Sequence, residues 1–336
     1  MTVRVLVVDD SAFARKVVRE VLSAERDLEV VDIARDGLDA LEKIAIHKPD
    51  VITLDLTMPG LDGIGVLRAL GPDGPRVVVV SISGATTELG LEALELGAFD
   101  IVEKPTALAT ERLYDVGREL AAKVLAASRA RGRRGPAVRA AAPVPHVGAA
   151  QVLVIGASTG GPPAIARLLA VLPEDFPVPI AVVVHLPADY TEAFARRLDG
   201  NSRVRVREAT HGMPLAPGEV VIARGGLHLK LEREGERVVC RLDVQPTTHL
   251  HRPSVDALFA SAVGAYGGAV LGVVLTGMGD DGLAGARAIT GAGGRVVTES
   301  EASCVVYGMP RCIAEAGLSA AQASLEDMAK LIVDRL

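Results

Sequence analysis

Three cysteines (Cys240, Cys304 and Cys312) in 336 residues are too few and too scattered for a disulfide framework. Without a C-x-x-C pair they also offer no metal knuckle, and they read as reduced thiols of a cytoplasmic protein. Long apolar runs are missing as well: none approaches the roughly 20 residues of a membrane helix, so direct membrane insertion is not expected. The N-terminus has no basic stretch followed by an apolar one; it opens on a strand-like Val-Arg-Val-Leu-Val-Val, which argues against a secretory leader. Nor is there an excess of basic charge. The net charge is −6, so nothing in bulk points to nucleic acid or an anionic membrane surface. What remains is an ordinary globular profile, 49% hydrophobic and 23% charged, long enough for two separate cores.

Residues 1–122 alternate short Val- and Ile-rich runs (3–9, 28–34, 51–55, 76–82, 99–104) with helical-length segments such as 12–24, 37–47 and 87–96. Five strands spaced by helices make a parallel sheet covered on both faces. In such folds chemistry gathers beyond the carboxyl ends of the strands. There the sequence places Asp9 and Asp10, Asp55, Ser81, and Lys104 before Pro105. Three carboxylates in one crevice call for a hard cation such as Mg²⁺. An aspartate so placed can accept a phosphoryl group, and a lysine and a hydroxyl can hold its oxygens.

With the Asp55-x-x-Met-Pro-Gly-x-Asp-Gly63 turn, this set resembles the receiver domains of two-component response regulators. The resemblance implies a flavodoxin-like fold, with Asp55 as phospho-acceptor. It also implies Mg²⁺ held by Asp10, Asp55 and the Thr57 carbonyl, with Asp9 helping through water, and Ser81 and Lys104 sensing the phosphate. Ser83 competes with Ser81 for the hydroxyl role. One position departs from the pattern: Ile101 stands where the family usually carries an aromatic.

From 123 to 150 periodicity fades. Lys123, Arg129, Arg131, Arg133, Arg134 and Arg139 appear without an acid in 123–139, and Ala, Pro and Gly then dominate. The first part can continue the preceding helix; the rest reads as a linker kept extended by its charge. No aromatics accompany the basic residues, so nucleic acid is not expected as a partner.

Residues 151–336 open on Gln-Val-Leu-Val-Ile-Gly-Ala-Ser-Thr-Gly-Gly, an apolar run ending in Gly-x-Ser-x-Gly, followed by Pro162 and Pro163. Such a strand-to-helix elbow leaves Ser158 at a strand's carboxyl end, beside N–H groups able to hold an oxyanion. The motif alone equally suits a glycine turn that binds phosphate. Further strands are expected at 152–155, 180–184, 219–223, 269–275 and 295–298, with helices between them and a β-hairpin over 228–242. This is a second α/β domain with a mostly parallel sheet and an added hairpin. His185 follows the run 180–184 and shares the Ser158 rim. His211, His228, His249 and His251 fall in turns or at hairpin ends, where surface or structural roles are expected. The run 269–275 leads into Thr-Gly-Met-Gly-Asp-Asp-Gly, which brings a carboxylate to the same rim. Serine, histidine and carboxylate there satisfy the logic of nucleophile, base and orienting acid. Their order differs from that of α/β-hydrolases, which argues against that fold.

The blocks 156–161, Val184-His-Leu-Pro187, His251-Arg-Pro-Ser-Val-Asp256, 275–282 and 301–310 together resemble the chemotaxis receptor methylesterases of the CheB family. The resemblance implies Ser158 as nucleophile, His185 as base, Asp281 as orienting acid and the Met278 N–H in the oxyanion hole, with no cofactor in this domain. Asp280 and Asp281 compete for the acid's role; Asp281 matches the family's position. It further implies a phosphorylation-activated hydrolase of glutamate methyl esters on chemoreceptors, which also deamidates their glutamines. A histidine kinase would be the phosphodonor, and the unphosphorylated receiver would cover the serine rim. Competing readings are a non-catalytic regulator, a dinucleotide-binding enzyme, whose G-x-G-x-x-G spacing is missing, and a DNA-binding effector.

Overall fold

The computed structural model describes residues 2–71, 74–81, 87–104, 110–130, 149–249 and 251–336, the side chains of 110–115 excepted. The chain divides into two compact units, Met1–Ala130 and Arg131–Leu336.

In the first unit, β1 (Val3–Val8), β2 (Leu28–Ala34), β3 (Val51–Leu54), β4 (Arg76–Ser81) and β5 (Asp100–Glu103) alternate with five helices. These are α1 (Ala12–Ser23), α2 (Gly37–His47), α3 (Gly63–Ala69), α4 (Thr87–Glu95) and α5 (Thr110–Arg129). The strands pair in parallel in the order β2-β1-β3-β4-β5. Val5 to Val8, Val51, Ile52, Leu54 and Val77 to Val80 are buried, as a sheet covered on both faces requires. Ser11, Asp36 and Asp62 each cap a helix by accepting from the N–H three residues on. The Asp62 of the sequence's Asp-Gly turn is thus the start signal of α3.

Helix α5 runs on to Arg129, the continuation the sequence left open. Lys123 is therefore no solvated linker charge. It is buried, with Nζ 3.3 Å from Asp100 and 2.9 Å from Glu119, and it donates to the Ile101 carbonyl at 2.8 Å. Ile101 itself is buried within β5. The linker residues 131–148 lie outside the described residues.

The second unit is built on a seven-stranded sheet in which every neighbouring pair is parallel. In chain order it comprises β6 (Val152–Ala157), α6 (Gly161–Leu169), β7 (Ile180–Val184), α7 (Thr191–Asn201), β8 (Arg205–Glu208) and β9 (Glu219–Ile222). The antiparallel pair β10 (His228–Glu234) and β11 (Arg237–Asp243) follows. Then come α8 (Val255–Tyr266), β12 (Val270–Val274), α9 (Leu283–Gly291), β13 (Arg295–Glu299), α10 (Met309–Glu315), β14 (Ser319–Ala323) and α11 (Leu325–Val333). The order is β14-β13-β12-β6-β7-β9-β8, with the hairpin as a separate two-stranded sheet. Leu229, Leu231, Val238 and Cys240 of the hairpin share one core with Leu258, Phe259 and Ala262 of α8 and with Val152 and Val154 of β6. Burying that apolar face holds the hairpin in place without ladder bonds to the main sheet.

Strand β6 is central. Succession reverses at it, β7 lying on one side and β12 on the other, and at such a switch point the loops beyond the strand ends part to leave a crevice.

Candidate functional site

In the first unit, the acids after β1 and β3 meet at their switch point. Carboxylate oxygens of Asp9, Asp10 and Asp55 lie within 4.8 Å of one another; Asp9 and Asp55 are buried and Asp10 is exposed. Lys104, buried after β5, reaches Asp9 at 2.8 Å and Asp55 at 2.7 Å. Burial and the neighbouring Asp9 charge push the Asp55 carboxyl up, against the hydrogen bond and charge of Lys104. Lys104 loses some basicity to burial, but its two carboxylate partners raise it overall. Arg15 from α1 donates to the carbonyls of Asp9 and Asp10 at 2.6 and 2.9 Å, fixing the turn that carries the acids. Thr57 N–H donates to Asp55 at 3.4 Å. Ser81 is buried at the end of β4, while Ser83 and Pro105 lie outside the described residues. An all-oxygen cluster with one acid open to solvent suits a hard divalent cation that keeps waters of its own.

In the second unit, Ser158 leaves β6 on the turn into α6. Gly160 caps that helix at φ +76, a left-handed conformation that β-carbon-bearing residues resist. Opposite it, the backbone after β12 approaches so closely that a Cβ on Gly277 would lie 2.9 Å from the Ser158 Cβ. Thr276 ties the two loops together. Its carbonyl accepts from Ser158 N–H at 3.0 Å, and its hydroxyl donates to the Thr159 carbonyl at 2.9 Å. Its own N–H donates at 2.8 Å to Glu299, a wholly buried acid that burial pushes above the usual carboxylate range.

His185 and Asp281 are brought together from the strands flanking β6. His185 Nε2 lies 2.8 Å from Asp281 Oδ2. A carboxylate only accepts, so Nε2 carries the proton in this pair, and Nδ1 is left buried without a partner. Among the described residues no hydrogen bond joins Ser158 to His185. Asp281 also accepts from Ser254 Oγ at 2.9 Å, Val255 N–H at 2.8 Å and Asp256 N–H at 3.0 Å. Burial alone would raise its pKa; the His185 hydrogen bond and charge, then the N–H groups of Asp256 and Val255, hold it well below the usual carboxylate range. Asp280, its rival, is exposed. The Met278 N–H has no acceptor among the described residues.

Sequence reasoning missed part of this surround. His251, assigned a surface or structural place, stacks on His185 with ring centroids 4.1 Å apart. His249 Nδ1 lies 3.4 Å from Ser254 Oγ, and the buried His228 meets His249 edge to face at 5.5 Å. The block 251–256 was in view as a motif, but nothing in its spacing says that the loop folds back over the β6 and β7 ends.

Comparison with known proteins agrees across nearly the whole chain. Residues 5–115 match the response regulator receiver domain, and residues 153–332 match the CheB methylesterase. A protein-glutamate methylesterase/protein-glutamine glutaminase of Myxococcus xanthus is 58% identical over 337 residues, which cover 98% of this chain and 97% of that protein. Its counterpart in Oleidesulfovibrio alaskensis is 39% identical, with 99% of each covered. The solved catalytic domain of Thermotoga maritima CheB methylesterase is 36% identical and covers 56% of this chain and 100% of its own, with a TM-score of 0.55. A receiver unit ahead of a serine-bearing α/β unit, matched on both halves, places this chain in the CheB methylesterase family.

Proposed function

We propose that this protein hydrolyses γ-methyl esters of glutamate side chains on chemoreceptors, and deamidates receptor glutamines by the same route, with Ser158, His185 and Asp281 as its triad. The observation that carries the reading is the 2.8 Å contact of His185 with an Asp281 locked by three further donors, on the rim where the central strand delivers Ser158. His185 Nδ1 takes the proton as Ser158 Oγ attacks the ester carbonyl, and Asp281 steadies the imidazolium. The Met278 N–H, free of other acceptors, stabilises the oxyanion. Collapse expels methanol, which takes its oxygen's proton from His185; for a glutamine, ammonia leaves instead. Water then gives a proton to the same nitrogen, attacks the acyl-enzyme and releases the γ-carboxylate and Ser158.

The receiver is the regulatory half of this reading. Asp55 accepts a phosphoryl group from the pathway's histidine kinase. The carboxylates of Asp9, Asp10 and Asp55, with the Thr57 carbonyl, would hold Mg²⁺, which neutralises charge around the incoming phosphoryl oxygens. Lys104 and Ser81 bind those oxygens afterwards and report the change. Both chemistries belong to the cytoplasm, and no helix among the described residues is long and apolar enough to cross a membrane. The receiver, expected over 1–122, would extend through α5 to Arg129, which leaves a shorter linker before the catalytic domain at 151–336.

Methanol release from methyl-labelled receptor membranes tests both halves. Wild type should release it, Ser158→Ala should not, and a small phosphodonor with Mg²⁺ should accelerate wild type but not Asp55→Asn. Release by Ser158→Ala would refute the nucleophile; equal acceleration of Asp55→Asn would refute the acceptor.

A further inference from the structure

The starts of α8 and α9 are capped by each other's acids. Asp281, just before α9, accepts from the Val255 and Asp256 N–H groups of the first turn of α8. Asp256 in turn accepts from Gly282 and Gly285 N–H at 3.0 and 2.7 Å, in the first turn of α9. The position of Asp281 is thus dictated from α8 as much as from its own loop. Ser254 stands at the joint. It is 1% exposed, and its backbone is the extended N-cap of α8. Its Oγ accepts from Ala257 N–H at 3.4 Å and lies 2.9 Å from Asp281 Oδ1. Besides His185 it is the only side chain that donates to Asp281 among the described residues.

A carboxylate can rotate about its last bond, so a base partner at one oxygen does not fix its plane. With Ser254 and the Asp256 N–H on Oδ1, the other oxygen is presented to His185. Resting on the proposed triad, we infer that Ser254 is a positioning residue for the hydrolysis: its hydroxyl holds Asp281 in the plane that keeps the His185 imidazole aimed at the nucleophile. Outer groups that orient a working side chain commonly matter tenfold or more although they never touch substrate.

The test must separate this role from helix capping. Thr and Gly are comparable N-caps, and they differ in the hydroxyl. Ser254→Thr and Ser254→Gly in the full chain should therefore melt at similar temperatures. Losing one donor to a charged group, with two backbone donors retained, should cost about tenfold in kcat at unchanged KM for the Gly variant. The Thr variant should restore the wild-type rate within about twofold. The labelling rate of Ser158 by a fluorophosphonate should follow the same pattern, and it needs no receptor. Equal labelling and turnover in the two variants would overturn the inference. So would a loss in the Gly variant that disappears once rates are scaled to the folded fraction. Wild type that labels at Ser158 but releases no methanol from receptors would refute the proposed substrate and leave the positioning test standing. Wild type that does not label would refute the nucleophile, and this inference with it.

Discussion

The imidazoles of His185 and His251 lie 22° from parallel with their centroids 4.1 Å apart, so the proposed base has a second ring as one wall. Its Nε2 is held by Asp281, but one hydrogen bond leaves the ring free to swing about that axis. The stack resists the swing. His251→Ala should lower kcat roughly three- to tenfold, the worth of an aromatic contact, with little change in KM. His251→Phe keeps a flat face against His185 and should recover most of the rate. Equal activity of the Ala and Phe variants would show that packing on this face does not set the ring.

Asp281 couples activity to acid stability. Its folded pKa lies below the ordinary 3.8, so its contribution to stability is complete above that value and is lost as pH falls through the region beneath it. Asp281→Asn removes that contribution and, by taking the charged partner from His185, should lower kcat about 10⁴-fold. Urea midpoints should separate wild type from Asp281→Asn at about pH 6, and the gap should start to narrow only below about pH 4 and close at still lower pH. A separation that stays constant across that range would mean that the carboxylate is not held as its contacts imply.

The sheets and the helix starts were legible because they are written locally. Val and Ile runs mark the central strands, and the helical segments read at 12–24 and 37–47 begin where Ser11 and Asp36 cap α1 and α2. The edge strands β8 and β14 escaped: Arg-Val-Arg-Glu and Ser-Ala-Ala-Gln-Ala are half exposed, and their pairing is fixed by a neighbour rather than by composition. Helix α10 escaped too: it spans only seven residues and opens with Pro310 in its first turn, where proline is allowed. Strand ends named Ser158, His185 and a carboxylate at 280 or 281 as rim residues, since a strand's end is a place that periodicity can find; the choice of Asp281 came from the family resemblance. Ser254, His251 and Glu299 act across long separations in the chain, through contacts that exist only once β6, β7 and β12 are side by side.

Thiol chemistry offers a check of the core that is independent of catalysis. Burial pushes the Cys240 thiol up to about 12, and burial together with the Glu299 charge pushes Cys304 above the usual thiol range. At about pH 8 only about one Cys240 in 10⁴ is a thiolate, and the thiolate is the form that reacts. Iodoacetamide on the native protein should therefore modify Cys312, which is partly exposed on α10, and spare Cys240 and Cys304 until denaturant is added. Mass spectrometry of the labelled peptides reads the order directly. Early modification of Cys240 would mean that the hairpin opens from α8 in the native state.

Lys104 answers for two buried carboxylates at once, and its removal should expose what it does. In Lys104→Met, Asp9 and Asp55 face each other without a cation, a loss of about 3–5 kcal/mol by the usual cost of breaking a buried pair. Repulsion then favours whichever charge returns. Adding millimolar Mg²⁺ should raise the melting temperature of Lys104→Met by more than that of wild type, because the metal replaces the ammonium as the neutralising charge. In the double variant Lys104→Met/Asp55→Asn one of the repelling charges is gone, so most of the stability should return and most of the Mg²⁺ response should vanish. A double variant as unstable as Lys104→Met would place the cost in lost packing of the lysine stem rather than in the acids.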